Sequence, residues 1–187
     1  YHTFGRFLEM YGCIFWGATY VFLDNPGVEA LVAGMCRVQP TVFISVPKKW
    51  IQLHEEIARA ADLDAASPAE IDAAVRSVCG GRLRFGLSAA GRLDAEIFRF
   101  FQAHGVGLMS GFGMTEATGG ITMTRPGKYK DDSLGPALPG IELAVGELLE
   151  QLHRVGLVEA LERAIGVVQR VGQSKRVEES FFCRLRE

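Results

Sequence analysis

Ser110-Gly111-Phe112-Gly113-Met114-Thr115-Glu116-Ala117 follows the apolar run Val106-Gly107-Leu108-Met109, so a short buried strand gives way to a turn holding two glycines, a ring, a hydroxyl and a carboxylate. Such a turn suits a nucleotide. Gly111 and Gly113 let the backbone approach a ligand closely, Phe112 offers a flat face for a base, Thr115 can hydrogen-bond a phosphate oxygen, and Glu116 can hold Mg2+. The same residues spell Gly-x-Gly-x-x-Glu, but a dinucleotide fingerprint requires Gly where Glu116 stands, which excludes that reading. The bland alternative is a Gly-rich exit from a strand with a solvated Glu, and context has to decide between the two.

The context is a set of motifs in order. Gly111-Phe112-Gly113-Met114-Thr115-Glu116 resembles the Tyr-Gly-x-Thr-Glu signature of the adenylate-forming enzymes, the superfamily of acyl-CoA synthetases, luciferases and peptide-synthetase adenylation domains. Upstream, Leu87-Ser88-Ala89-Ala90-Gly91-Arg92-Leu93 resembles that family's Ser-Gly-Gly-Ala-Pro-Leu loop, and His2-Thr3-Phe4-Gly5 its His-x-Phe-Gly segment. Downstream, Ser133-Leu134-Gly135-Pro136-Ala137-Leu138-Pro139-Gly140 resembles Ser-Val-Gly-x-Pro-x-Pro-Gly. Co-occurrence in the right order makes the resemblance specific where one motif alone would be weak.

Composition narrows the rest. At 187 residues, 48% hydrophobic and 22% charged, the chain can bury one core. A formal net charge of -2 with Lys48, Lys49, Lys128 and Lys130 scattered argues against nucleic acid as a partner. Cys13, Cys36, Cys79 and Cys183 never reach a Cys-x-x-Cys spacing, which fits a reducing, cytoplasmic setting; His2, His54, His104 and His153 lack metal-ligand spacing, so zinc is not expected, and His54 and His104 read as surface residues of helices. The apolar run from Met10 to Leu23 follows Glu9, lacks a basic leader and is too short to span a bilayer, so it reads as core.

Along the chain, helices alternate with short apolar strands. Phe4, Phe7, Leu8, Tyr11, Ile14 and Phe15 share a helical face closed by Gly17; Ala18 to Leu23 reads as a strand, Val28 to Val38 as a helix and Thr41 to Val46 as a strand. Lys48 to Leu63 has a broad apolar face, with Trp50 a packing residue. Ser67-Pro68-Ala69-Glu70 is a capping box that starts a helix to Cys79; Arg82 to Leu87 is the next strand, and Asp94 caps a helix from Ala95 to His104 whose Phe98, Phe100 and Phe101 supply core. Gly119 to Thr124 and Ile141 to Val145 read as further extended pieces. The fold class expected is α/β: a mostly parallel sheet covered by helices on both faces, forming a partial AMP-binding domain over residues 1–145, with a helical C-terminal tail. Both glycine-containing loops then lie after strands, on the edge where such sheets collect ligands.

The tail, 146–187, breaks the resemblance. Leu148, Leu149, Leu152, Val155, Val158, Leu161, Ile165 and Val168 form a helical stripe weakened by Gly156, Gly166 and Gly172, with a frayed end expected from Gln173. It reads either as the product of a shifted reading frame or as a helix for self-association.

The resemblance implies a two-step ligase: a small-molecule carboxylic acid attacks the α-phosphate of ATP to give acyl-AMP and pyrophosphate, and coenzyme A then takes the acyl group. It assigns Thr115 and Glu116 to catalysis, with Glu116 on Mg2+. It assigns Ala89, Ala90, Gly91, Gly111, Phe112, Gly113, Met114 and Thr115 to the nucleotide, and His2 and Gly5 to the mouth of the acyl pocket. His2 stands equally well as an unconstrained terminal residue. Arg92 replaces the family's Pro, and Phe112 its more frequent Tyr. Pro40 to Trp50 resembles the fatty-acyl branch, and a lipid substrate implies peripheral membrane contact. The chain opens inside a motif and lacks the phosphate loop, the ribose-binding Thr-Gly-Asp and the lid lysine, so it is expected to be a fragment and, alone, inactive. The rivals are the adenylation part of a carboxylic acid reductase or peptide synthetase, and a non-catalytic interaction module that retains the fold.

Overall fold

The computed structural model describes residues 4–23, 25–117, 119–131, 133–143 and 181–184; for Phe4, Glu116 and 181–184 the description is of the backbone alone. The chain enters as a π-helix, Phe4–Tyr11, that runs into one turn of α1, Gly12–Phe15. Then come β1 (Thr19–Val21), α2 (Val28–Val38), β2 (Val42–Ser45), α3 (Pro47–Ala60), α4 (Pro68–Val78), β3 (Phe85–Ser88), α5 (Ala95–Ala103), β4 (Gly107–Met114), a 3-10 turn (Thr115–Ala117), β5 (Gly119–Met123) and β6 (Phe181–Arg184).

Local chemistry sets the helix starts. Ser67 accepts from the Glu70 amide while the Glu70 carboxylate accepts from the Ser67 amide at 2.7 Å, and Pro68 occupies the first turn, where no amide hydrogen is needed. Asp94 accepts from the Glu96 amide at 2.8 Å and so starts α5.

The sheet runs β1-β6-β2-β3-β4-β5. Its centre is parallel: Val42, Phe85 and Gly107 share one register row, and Ser45, Ser88 and Ser110 share another. Its flanks are antiparallel, with β5 against β4 and β6 between β1 and β2. The strand β6 replaces the frayed end expected there: residues 181–184 complete backbone ladders on both sides. The helical stripe from Leu148 to Val168 lies outside the described residues, as does most of the tail. The expected strand at Ile141 to Val145 is irregular over 141–143, the part described.

Helices flank the sheet unequally. The crossovers from β2 to β3 and from β3 to β4 step in the same direction, and right-handed connections therefore put α3, α4 and α5 on one face. There α2 packs on α3 and α4. The π-helix lies on the opposite side, in contact with β5 and β6.

The core sits under α2–α5. Trp50 is fully buried, with its ring centroid 5.1 Å from Phe43 and 5.1 Å from Phe101, and its Nε1 donates to the Leu87 carbonyl at 3.3 Å. Gly86 makes room for it, because a Cβ there would lie 2.3 Å from the indole. On the same side His104 bonds Asp72 at 2.7 Å, tying α5 to α4, and His54 meets the Phe100 ring edge-on at 4.6 Å. Both histidines are part-buried ties rather than the surface residues expected. Burial lowers the His54 pKa, and the nearby Glu55 carboxylate pulls it the other way.

The N-terminal segment departs most from expectation. It is helical, but its aromatic stripe is not core: Phe7, Tyr11, Ile14, Phe15 and Trp16 are exposed, Phe15 by 81%, while Gly5, Glu9 and Cys13 are the buried positions. The π-helical stretch, with its wider hydrogen-bond spacing, rotates the pattern away from the face that α-helical counting selects.

Candidate functional site

The sequence from Ser110 onward is strand where a turn was expected. β4 pairs with β3 as far as Ser88↔Ser110, then runs on alone for four residues as a hairpin arm against β5, and the reversal falls at Thr115–Ala117. Two glycines make that possible. A Cβ on Gly113 would come 2.2 Å from the Gly119 carbonyl oxygen, and one on Gly111 3.1 Å from that of Thr122, so both answer to the close approach of β5. The register slips between Phe112 and Gly113, and such a bulge re-aims the side chains beyond it.

Thr124 locks the base of this arm. Its hydroxyl accepts from the Ser110 amide at 2.8 Å and donates to the Ser110 carbonyl at 3.2 Å, both groups buried. The Pro/Gly segment then docks along β5: the Leu138 amide bonds the Ile121 carbonyl at 2.9 Å, Thr122 donates to the Leu134 carbonyl at 2.8 Å, and Thr122 bridges Ala137.

These pieces enclose an open crevice lined by Leu8, Leu87, Ala89, Ala90, Gly111, Phe112, Gly113, Met114, Gly119, Gly120, Thr122, Met123 and Leu138. The loop after β3 thus meets the arm of β4, and Phe112 lies half-buried in the wall they share. Ala90 is held at φ +64°, a left-handed conformation that glycine adopts freely and alanine does not, and it stands where the resembled motif carries its second glycine.

Not every expected residue joins them. Gly91 is exposed and outside the lining, where a Cβ would meet Pro47 at 3.3 Å, and Thr115 sits half-buried in the 3-10 turn beyond the lining. Gly5 is buried, and Leu8, one turn further along the π-helix, supplies the lining instead. His2 and the Glu116 side chain lie outside the described residues. Among the described residues no group of three His, Cys, Asp or Glu could hold a metal ion. The residues present therefore suit the apolar and planar parts of a ligand, and the Mg2+ role expected of Glu116 falls on a side chain outside the described residues.

The residues that sequence reasoning missed are Leu8, Leu87, Gly119, Gly120, Thr122, Met123 and Leu138. A usable signal existed for β5: Gly119 to Thr124 reads as an extended piece a few residues after Met114, a spacing at which two extended runs can pair as a hairpin.

This fold and crevice define a class of protein. Residues 1–154 match the AMP-binding enzyme family, and the chain belongs to it. Among its relatives, the anthranilate–CoA ligase of Pseudomonas aeruginosa is 27% identical over 149 residues, which cover 77% of this chain and 25% of that protein. The long-chain-fatty-acid–CoA ligase FadD15 of Mycobacterium bovis is 29% identical over 84 residues, 45% of this chain and 14% of that protein. Of solved structures, apo MatB from Rhodopseudomonas palustris superposes with a TM-score of 0.59 at 25% identity, covering 78% of this chain and 26% of MatB. O-succinylbenzoate coenzyme A synthetase from Bacillus subtilis, in complex with ATP and magnesium, gives 0.57 at 18% identity, 78% of this chain and 27% of that one. The chain thus spans about a quarter or less of the proteins it matches. Among the described residues no helix is long and apolar enough to cross a membrane.

Proposed function

We propose that this chain is the nucleotide- and acyl-binding middle of an ATP-dependent acid–CoA ligase, with residues 1–145 forming the partial adenylation domain. One observation carries the reading: three stretches that resemble family motifs, far apart in sequence, converge on one crevice, joined by the helix that continues from a fourth. Ala89 and Ala90 come from the first loop, Gly111 to Met114 from the second, Leu138 from the Pro/Gly segment, and Leu8 from the helix that follows the His-x-Phe-Gly segment. A relative that acts on anthranilate and others that act on long-chain fatty acids fit an apolar lining of this kind.

In this reading Phe112 stacks on adenine, and Ala89 and Ala90 present backbone to its other side. The acyl group takes the apolar part between Leu8, Leu87 and Leu138. In the first step a carboxylate oxygen bonds to the α-phosphorus of ATP and pyrophosphate leaves; in the second a thiol, that of coenzyme A, takes the acyl group and AMP leaves. Glu116 would hold Mg2+, which would supply charge stabilisation at the phosphates, and Thr115 would donate to a phosphate oxygen. A fatty acid is the preferred substrate, a cytoplasmic setting the preferred location, and the tail from 146 the element for self-association.

ATP-Mg2+ added to the purified chain tests the nucleotide half. A ligand that binds the folded state alone raises the apparent melting temperature, so a concentration-dependent upward shift is expected, reduced by Phe112→Ala. No shift at any ATP concentration overturns the reading. Carboxylate-dependent ATP–pyrophosphate exchange is expected to stay at background in the isolated chain and, in a complete enzyme, to fall with Glu116→Gln.

A further inference from the structure

Glu9 follows Leu8 on the π-helix and points elsewhere: it is 2% exposed, buried as deeply as the core. Its Oε2 accepts from the Tyr20 hydroxyl on β1 at 3.2 Å, and its Oε1 has no partner among the described residues. Burying a carboxyl with one oxygen unsatisfied is costly, and an apolar pair would hold a helix to a strand at less expense. What the polar pair adds is direction. A hydrogen bond fixes one rotational setting of the helix, where apolar packing tolerates several, and the setting decides which residue faces the crevice.

We propose that the Glu9–Tyr20 hydrogen bond positions the acyl wall of the crevice, holding the π-helix against β1 in the one setting that places Leu8 beside Leu87. Glu9 is a positioning residue in this scheme, and the scheme rests on the reading of the crevice as an acyl site. Burial pushes the Glu9 carboxyl up to about 9, with the Tyr20 bond pulling the other way. The tie at neutral pH is therefore between a phenol and an uncharged acid.

The groups around it are few. Arg6 and Cys13 lie one turn to either side on the same helical segment, Tyr20 faces it from β1, and β5 carries no ionisable residue in Gly119–Met123. Strand β6 sets Cys183 in register with Tyr20 and Arg184 with Thr19. The proton is held to about 9 in the folded chain and to 4.5 in the free group, so the seat is undisturbed below 4.5, weakens as pH rises, and is lost through the folded value.

The experiment uses the whole 187-residue chain and dansyl-undecanoic acid, a fluorescent fatty acid. The wild type is expected to bind at neutral pH and to lose affinity, by up to about tenfold per pH unit, as pH rises toward and through the Glu9 value. Glu9→Gln keeps the shape and an uncharged acceptor, and is expected to hold affinity within about twofold and to abolish the alkaline loss. Tyr20→Phe is expected to weaken binding at neutral pH by about fivefold. Leu8→Ala lowers affinity at every pH and leaves the pH profile unchanged. Hydrogen exchange of the Phe7–Tyr11 amides runs alongside, with opening expected above the Glu9 value in the wild type and not in Glu9→Gln.

The same alkaline loss in Glu9→Gln as in the wild type, or unchanged binding and exchange in Tyr20→Phe, overturns the proposal. Should the probe fail to bind the wild type at all, the acyl reading of the crevice falls. The exchange arm then decides the tie alone: identical opening in the wild type and Glu9→Gln refutes it.

Discussion

The two faces of the sheet are built to different ends. Beneath α2–α5, residues Phe43, Trp50, Leu53, Ile57, Phe101 and Leu108 are all but sealed from water, and tilted and edge-on ring contacts and a buried indole hydrogen bond fix their places. On the other side the π-helix roofs the crevice lightly, and its outer aromatics meet solvent. Stability is concentrated on the first face and binding surface on the second. A closed core can carry an open crevice because the strands that floor one face roof the other: Leu87 lines the crevice while its carbonyl accepts from Trp50.

The sharpest way to break that contrast is on the sealed side. Trp50→Ala leaves a cavity between Phe43 and Phe101 and strands the Leu87 carbonyl, and the expected loss is about 3–5 kcal/mol, enough to unfold a domain of ordinary stability. Urea denaturation followed by circular dichroism measures it. A loss below about 1 kcal/mol would mean that the core is not where stability resides.

Next in size is the pin between the faces. Thr124→Val preserves shape and removes the hydroxyl that serves both the amide and the carbonyl of Ser110. One buried amide is left unsatisfied, and about 1–3 kcal/mol should go with it. The β4 arm should loosen at the same time, visible as faster exchange of the amides from Ser110 to Met114. Loss of stability without faster exchange would show that Thr124 supports the core rather than the crevice.

These two residues mark how unevenly the sequence could be read. Trp50 was legible because apolar spacing on a helix that starts at Pro47 meets a sheet of short apolar strands, and period and burial then agree. The capping box at Ser67 and the Asp94 cap named their helices to within a residue of the observed starts. Thr124 was not legible as a lock, because its role depends on where β5 pairs, and Gly-rich strands carry little side-chain pattern to fix register. For the same reason β4 read as ending at Met109, five residues early. In the crevice, the motif residues Ala89, Ala90 and Gly111 to Met114 were found by resemblance, whereas Leu8, Leu87 and Met123 look like ordinary core until the hairpin places them. Glu9 gave no signal beyond being an acid in an apolar run.

A smaller effect of opposite sign is expected at Ala90. Alanine at φ +64° bears a left-handed penalty of about 1–2 kcal/mol, and glycine removes it while loosening the unfolded chain by somewhat less. Ala90 is exposed, so no burial is lost. Ala90→Gly should therefore stabilise the chain by up to about 1 kcal/mol, read as a rise in melting temperature. If it destabilises instead, the loop is held in its left-handed turn by contacts that need the methyl group.

The smallest effect on folding lies at the outer aromatics, and it closes the comparison between the faces. Phe15 is 81% exposed, so its ring has little burial to lose; Phe15→Ser should change unfolding free energy by no more than about 0.5 kcal/mol, against the several expected at Trp50. Its consequence should be colloidal. Phe15 meets Trp16 edge-on, as Phe7 meets Tyr11, and with Ile14 they expose large apolar side chains of a kind that associate or adsorb. Light scattering of the serine variant should show less concentration-dependent association than the parent. If Phe15→Ser instead costs as much as a core truncation, the roof is under tension that its exposure conceals, and the division between a stabilising face and a binding face does not hold.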